Sequence, residues 1–274
     1  MLDSLNRQRF ELIQDLDGAL NQHQFVLHYQ PKIDIASGAT VGAEALVRWQ
    51  DPTRGLLYPD AFLPVVEQNG LMNALTSLVL RAAVRQLVVW KEDGLDISIA
   101  VNLSASDLLD DSLADRIEAL LREHSLPVAA LELEITGASS CSTRSARGPS
   151  SRPCAGSGCE SRSTPTAPAT AALAYLRDLP VDELKLDRSF ALRVTTDSRS
   201  AAIVRSTIEL AHALGLQVVA EGVEDRQTLD ALKSFGCDYA QGHYFSRPVP
   251  ATAFAAAVHL AEVEPSAQAF PLAS

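Results

Sequence analysis

Apolar residues recur along this chain in two rhythms, and the rhythms alternate. Short, largely apolar runs read as strands over Phe25–Ile33, Thr40–Trp49, Ile97–Leu103, Leu131–Thr136, Glu183–Leu186, Gln217–Val223 and Cys237–Phe245. Longer stretches with apolar positions three and four apart predict helices over Ala61–Gln68, Leu71–Lys91, Asp111–Glu123, Ala171–Arg177, Ser198–Leu214, Arg226–Phe235 and Ala251–Glu264. In the helix over Leu71–Lys91, the spacing of Leu71, Leu75, Leu78 and Ala82 defines the inward stripe. Met1–Leu20 carries a helical pattern of its own through Leu5, Leu12, Ile13, Leu16 and Leu20. Strand–helix alternation predicts the α/β class, with a parallel sheet covered by helices, and 274 residues suit one (β/α) barrel. The expected organisation is a lead-in helix over 1–22, a barrel over 23–264 and a disordered tail over 265–274.

One segment breaks the rhythm. Residues 137–170 contain no Val, Ile, Leu, Met, Phe, Tyr or Trp, yet hold nine Ser, four Arg, four Pro, four Gly and three of the four Cys. An eighth strand and its helix would fall there. A missing stave predicts two unpaired sheet edges, which are templates for aggregation.

Composition narrows the partners. At 47% hydrophobic and 21% charged the chain has a globular profile. A net charge of −11 repels polyanions and argues against DNA, RNA and acidic membrane faces. A phosphate-bearing ligand would then need local cations. No secretory signal is visible in the first twenty residues, and Asn73, Arg81, Arg85 and Gln86 interrupt the most apolar stretch, so a cytoplasmic location is expected. Cys141, Cys154, Cys159 and Cys237 match neither a zinc spacing nor a redox pair. The six His are scattered and receive no role.

In parallel barrels chemistry gathers at the carboxyl ends of the strands. Those ends carry Glu44 and Arg48, Asn102, Glu134, Lys185 and Asp187, Glu221 and Glu224, and Gln241. Carboxylates converging on one rim repel each other unless they hold cations, and hard oxygen donors suit Mg2+ or Mn2+. The plainer alternative is that each residue satisfies a strand end or caps a helix.

These residues resemble a known family. Glu44-Ala45-Leu46-Val47-Arg48-Trp49 is similar to the signature of the EAL domain, the phosphodiesterases of bacterial cyclic di-GMP signalling. The resemblance extends through Tyr29-Gln30-Pro31, Val101-Asn102-Leu103-Ser104, Leu131-Glu132-Leu133-Glu134-Ile135-Thr136 and Leu184-Lys185-Leu186-Asp187. It continues in Ala220-Glu221-Gly222-Val223-Glu224 and in Gln241-Gly242 leading to Pro248, and so covers about residues 7–255.

The resemblance implies a TIM-like barrel whose rim binds two divalent cations, Mg2+ or Mn2+. It implies hydrolysis of cyclic di-GMP to linear pGpG by a metal-activated water. Glu44, Asn102, Glu134 and Glu221 then resemble metal ligands, with Glu221 also a candidate base. Lys185 would stabilise water and phosphate, and Gln241 would orient the water. Gln30, Leu46, Arg48 and Asp187 resemble substrate contacts, Arg48 being able to grip two phosphate oxygens. Glu224 would brace a loop. A homodimer through the helix and loop beside the altered segment is also implied.

Against that pattern, the family's Asp-Asp-Phe-Gly-Thr-Gly strand is absent. Its metal-bridging first Asp would fall on Thr164, followed by Pro165, and a Glu expected after Thr136 is Gly137. The pattern resumes in register at Leu173-Ala174-Tyr175-Leu176, so no length is lost. Two compensating frameshifts would explain this. The codons of Ala167-Pro168-Ala169-Thr170, read one base earlier, permit Gly-Thr-Gly-Tyr. A Ser/Pro/Arg-rich regulatory loop is the rival explanation. The expected function is therefore a cyclic di-GMP phosphodiesterase of weak or no activity. The alternatives are a non-catalytic module that binds cyclic di-GMP or a protein, or a product without function.

Overall fold

A computed structural model describes residues 12–16, 18–136, 143–147 and 181–263. Of the lead-in, 12–16 and 18–21 are helical. Strands follow as β1 (Phe25–Asp34), β2 (Thr40–Asp51) and β3 (Gly55–Leu57), then helices α1 (Pro59–Gln68) and α2 (Met72–Glu92). β4 (Ser98–Leu103), α3 (Leu113–Glu123), β5 (Leu131–Thr136) and β6 (Thr143–Arg147) come next. β7 (Glu183–Leu186), the short α4 (Arg188–Ala191), α5 (Ser198–Ala213) and β8 (Gln217–Ala220) lead to α6 (Arg226–Ser234). β9 (Tyr239–Ala240), β10 (Val249–Pro250) and α7 (Ala251–Val263) complete the described chain.

The sheet runs β10-β1-β9-β8-β7-β6-β5-β4-β2-β3, and β1 also pairs with β2, so the staves β1, β2, β4, β5, β6, β7, β8 and β9 close on themselves. β2–β4–β5 and β7–β8–β9 are parallel runs, as the alternation predicts. Two staves depart from that expectation. β1 is antiparallel to both β2 and β9, because only the short turn after Asp34 joins it to β2 and leaves no room for a crossover. β6 is antiparallel to β5 and to β7. The expected gap with two unpaired edges is thus corrected: backbone from inside the altered segment bonds both neighbours. The helix expected over Ala171–Arg177 and the tail over 265–274 lie outside the described residues.

Alternation along the staves separates two environments. On β1, Phe25 packs 5.4 Å from the rings of both Trp49 and Phe62, and Tyr29 lies 4.8 Å from Trp90, which stacks on Phe254 at 4.5 Å. Those residues belong to an apolar layer that β1, β2, β4 and β5 share with α1, α2, α3 and α7. A second layer joins β7, β8 and β9 to α5 and α6 through Leu184, Leu186, Val204, Ile208, Val218 and Leu232. The alternate residues, Gln30 and Lys32 among them, face the barrel interior, where they meet side chains from opposite staves. α2 is long and apolar enough to cross a bilayer by length and composition. It buries Leu75, Val79, Leu80, Ala83, Val84, Leu87 and Trp90 in the core, a stripe rotated by one position from the one the spacing predicts.

The last predicted strand is shorter than its apolar run. Only Tyr239 and Ala240 pair, and residues 241–248 turn across the rim. Caps fix the helix starts: Asp197 accepts from the backbone N–H groups of Arg199 and Ser200, and Asp225 from that of Thr228.

Candidate active site on the barrel rim

The carboxyl ends of the parallel staves bring most of the predicted polar residues to one cluster, buried at Gln30, Glu44, Glu134, Lys185 and Gln241 and open to solvent at Asn102 and Glu221. Lys185, at the third position of β7, lies at its centre. Its Nζ stands 2.6 Å from Glu221 Oε1, 2.8 Å from Glu134 Oε2 and 3.2 Å from Glu44 Oε2. Asn102 Nδ2 donates to Glu44 Oε1 at 2.8 Å. Gln241 Nε2 donates to Glu44 Oε2 at 2.6 Å and to Gln30 Oε1 at 3.0 Å, while Gln30 Nε2 donates to the Ser246 carbonyl at 2.9 Å. Residues from β1, β2, β4, β5 and β7 and from the loops after β8 and β9 are thereby joined in one network.

The loops are placed by close backbone contact. A Cβ on Gly242 would lie 2.1 Å from the Val223 carbonyl oxygen and 2.3 Å from its nitrogen, so only glycine allows the two loops to cross there. Val223 N–H bonds the Gln241 carbonyl at 3.1 Å, which sets Gln241 beside Glu221's loop.

Three carboxylates surround one ammonium, so the cluster is short of positive charge. Burial, reinforced by the charges of Glu44 and Glu221, pushes Glu134 up to about 8 against the pull of Lys185. Burial opposes ionisation of Glu44 as well. There the Lys185 charge and the bonds from Asn102 and Gln241 prevail, and its carboxyl sits below the ordinary range. The two acids titrate together, with the proton held mainly on Glu134. Burial disfavours charge on Lys185, but Glu134, Glu44 and Glu221 outweigh it and raise it well above its ordinary value.

Four predicted residues lie outside that network. Asp187 accepts from Ser189 N–H at 2.8 Å and so caps α4. Glu224 pairs with Arg188 at 2.5 Å, tying the loop after β8 to the start of α4. Leu46 is half-buried at the β2 position opposite His28. Arg48 is buried, donates from Nη1 to the Val47 carbonyl at 2.9 Å, and leaves its Nε without a hydrogen-bond partner among the described residues.

β6 supplies the register of the altered stave. Ser145 stands opposite both Glu134 and Glu183, and Thr143 opposite both Thr136 and Lys185. Paired residues share a face, so the positions next to the site are Thr143 and Ser145, and neither is an acid. Among the described residues no group of three His, Cys, Asp or Glu is arranged to hold a metal ion.

Below the rim lies a second buried polar cluster that the strand-end argument missed. Lys32 Nζ is 2.6 Å from Glu132 Oε2 and 3.2 Å from Glu183 Oε2, and Ser98 Oγ donates to Glu132 Oε1 at 2.7 Å. Parity is the signal that would have found it. Lys32, Glu132 and Glu183 each lie two residues from Gln30, Glu134 and Lys185, and so face the same interior one layer down.

The EAL domain family model matches residues 13–248. The chain is 37% identical over 253 residues to the bifunctional diguanylate cyclase/cyclic di-GMP phosphodiesterase MucR of Pseudomonas aeruginosa, which covers 92% of this chain and 37% of that protein. It is 38% identical over 247 residues to the cyclic di-GMP phosphodiesterase NbdA of the same organism, covering 90% of this chain and 32% of that one. The chain therefore spans well under half the length of these relatives. Among solved structures, the PaMucR phosphodiesterase in complex with c-di-GMP superposes with a TM-score of 0.73 at 35% identity, covering 89% of this chain and 99% of that one. The fold is the TIM-like barrel of these neighbours, and the chain belongs to the EAL domain family.

Proposed function

We propose that the rim binds cyclic di-GMP, the ligand of the PaMucR complex, and that hydrolysis to pGpG is crippled in this chain. The observation that carries the reading is the register of β6. The stave between Glu134 and Lys185 brings Thr143 and Ser145 to the site, where a two-cation hydrolase needs a shared acid.

By chemistry, though not by their present arrangement, the rim donors suit one divalent cation. Glu44, Asn102, Glu134 and Glu221 supply hard oxygens, and three acids around one ammonium favour an added positive charge, which would displace the proton held on Glu134. A second cation is not fitted, because it would share an acid from the altered stave. When bound, such an ion supplies water activation and charge neutralisation. The chain's own groups do the rest. Arg48 offers its free terminal nitrogen to a phosphate, Gln241 and Gln30 fix the rim through the bond from Gln241 to Gln30, and Lys185 neutralises charge beside the phosphodiester. Dimerisation and the Mg2+ or Mn2+ identity belong to the same reading.

The test is paired. Calorimetry with cyclic di-GMP reads binding, and chromatography of pGpG formed by purified protein with Mn2+ reads turnover. Binding with turnover about 10^3-fold below an intact family enzyme supports the proposal. Near-normal hydrolysis, or no binding, refutes it.

A further inference from the structure

Tyr58 is an aromatic residue in an unusual place. It is 60% exposed, packs in neither apolar layer, and precedes Pro59, the first residue of α1. It is the N-cap residue of that helix, yet its side chain makes no capping bond. Its position is set by the β2–β3 hairpin. Trp49 pairs with Leu57, so the next step of the antiparallel ladder carries Tyr58 alongside Arg48. Proline at 59 restricts residue 58 to extended backbone, observed at φ −92 and ψ 159, which fixes where the ring leaves the chain.

The ring meets the Arg48 guanidinium, with Cζ 5.0 Å from its centroid. That distance is within cation–π range. Arg48 is otherwise lightly held, by one bond from Nη1 to its own strand, with Nε buried and unpartnered. A carboxylate would orient a guanidinium by taking up its N–H groups. A stacked ring holds the plane without taking up an N–H group, and so leaves Nη2, which has no hydrogen bond among the described residues, for a phosphate oxygen.

We infer that Tyr58 is a positioning residue that holds the Arg48 guanidinium with its free terminal nitrogen toward a phosphodiester of the bound dinucleotide. This rests on the reading that the rim takes cyclic di-GMP. Ordering the guanidinium before binding removes an entropic penalty otherwise incurred on association, which appears as affinity. A ring contact of this kind corresponds to about 3- to 30-fold in Kd.

The experiment compares wild type, Y58L and Y58F by calorimetry with cyclic di-GMP. It also follows the Arg48 Nε–Hε signal by NMR with and without that ligand. An exposed side chain is being changed, so all three proteins should share one unfolding midpoint. The inference expects Y58L to bind about 3- to 30-fold more weakly and Y58F to restore most of that loss, since the ring matters and the hydroxyl does not. It also expects the Nε–Hε signal to shift between wild type and Y58L before ligand is added, and to move on binding in wild type. Wild-type binding with an unchanged Kd in Y58L overturns the inference alone. So does a weakened Y58L whose Arg48 signal matches wild type, because the ring would then be touching the ligand and not the arginine. Absence of wild-type binding overturns the site reading and this inference with it.

Discussion

Lys185 and Glu134 stand 2.8 Å apart across neighbouring positions of the barrel, both sealed from solvent, with Thr143 of β6 opposite the lysine and Ser145 opposite the glutamate. Among the described residues the ammonium is the cluster's single cation, and it is shared with Glu44 and Glu221. A buried charge stripped of its partner is strongly destabilising.

K185M should therefore lower unfolding stability by about 3–5 kcal/mol in urea titrations. E134Q should behave differently. Glu134 holds its proton up to about pH 8, so at pH 7 an uncharged isostere changes stability by less than about 1 kcal/mol. Equal losses in the two variants would contradict a neutral Glu134 beside a charged Lys185.

Gly242 lies against Val223 backbone at distances no Cβ tolerates, and neither partner is a flexible side chain that can swing away. G242A should lose about 3 kcal/mol and weaken cyclic di-GMP binding, because Gln241 moves with it. G38A is the control. Gly38 has φ +77 but open space around it, so alanine there meets only the left-handed backbone penalty of about 1–2 kcal/mol and leaves binding intact. Thermal unfolding together with calorimetry on both variants separates the two effects.

Burial raises the Glu183 carboxyl above its ordinary 4.5, the charge of Glu132 adds to this, and Lys32 offsets only part of it. A raised folded value means the native state holds the proton more tightly than the unfolded chain. That contribution is fully present below about pH 4.5 and is lost as pH rises through the raised value. E183Q mimics the protonated form. It should match wild type at acidic pH, exceed it as pH rises, and flatten the stability profile. K32M should lose about 3–5 kcal/mol near neutrality. A Glu183 that stabilises more at high pH than at low pH would contradict the assignment.

Much of this molecule is readable from its residues, for identifiable reasons. The strands Leu131–Thr136 and Glu183–Leu186 fall where the apolar runs place them, because buried staves leave little freedom in pattern. Strand direction is not encoded in that pattern. Nothing in Phe25–Ile33 distinguishes a parallel from an antiparallel stave, and only the short turn to Thr40 reveals the reversal. The rim residues were found because strand ends can be counted. Lys32, Glu132 and Glu183 were not, because they sit one layer below those ends. Tyr58 gave no signal at all, since its contact with Arg48 depends on where a three-residue strand ends. Filling of the altered stave could not be foreseen either. Thr143–Arg147 pairs through backbone groups that every sequence carries, although its composition lacks the apolar residues of a buried strand.

The substituted stave has one consequence that can be measured outright. The direct measurement is the rate of pGpG formation from cyclic di-GMP with Mn2+, for the present chain beside a version in which residues 137–170 are translated in the neighbouring frame. The shifted frame should read Gly-Thr-Gly-Tyr at 167–170 and its product should hydrolyse at least about 10^3-fold faster, while both proteins bind the dinucleotide. Equal rates in the two proteins would contradict that expectation.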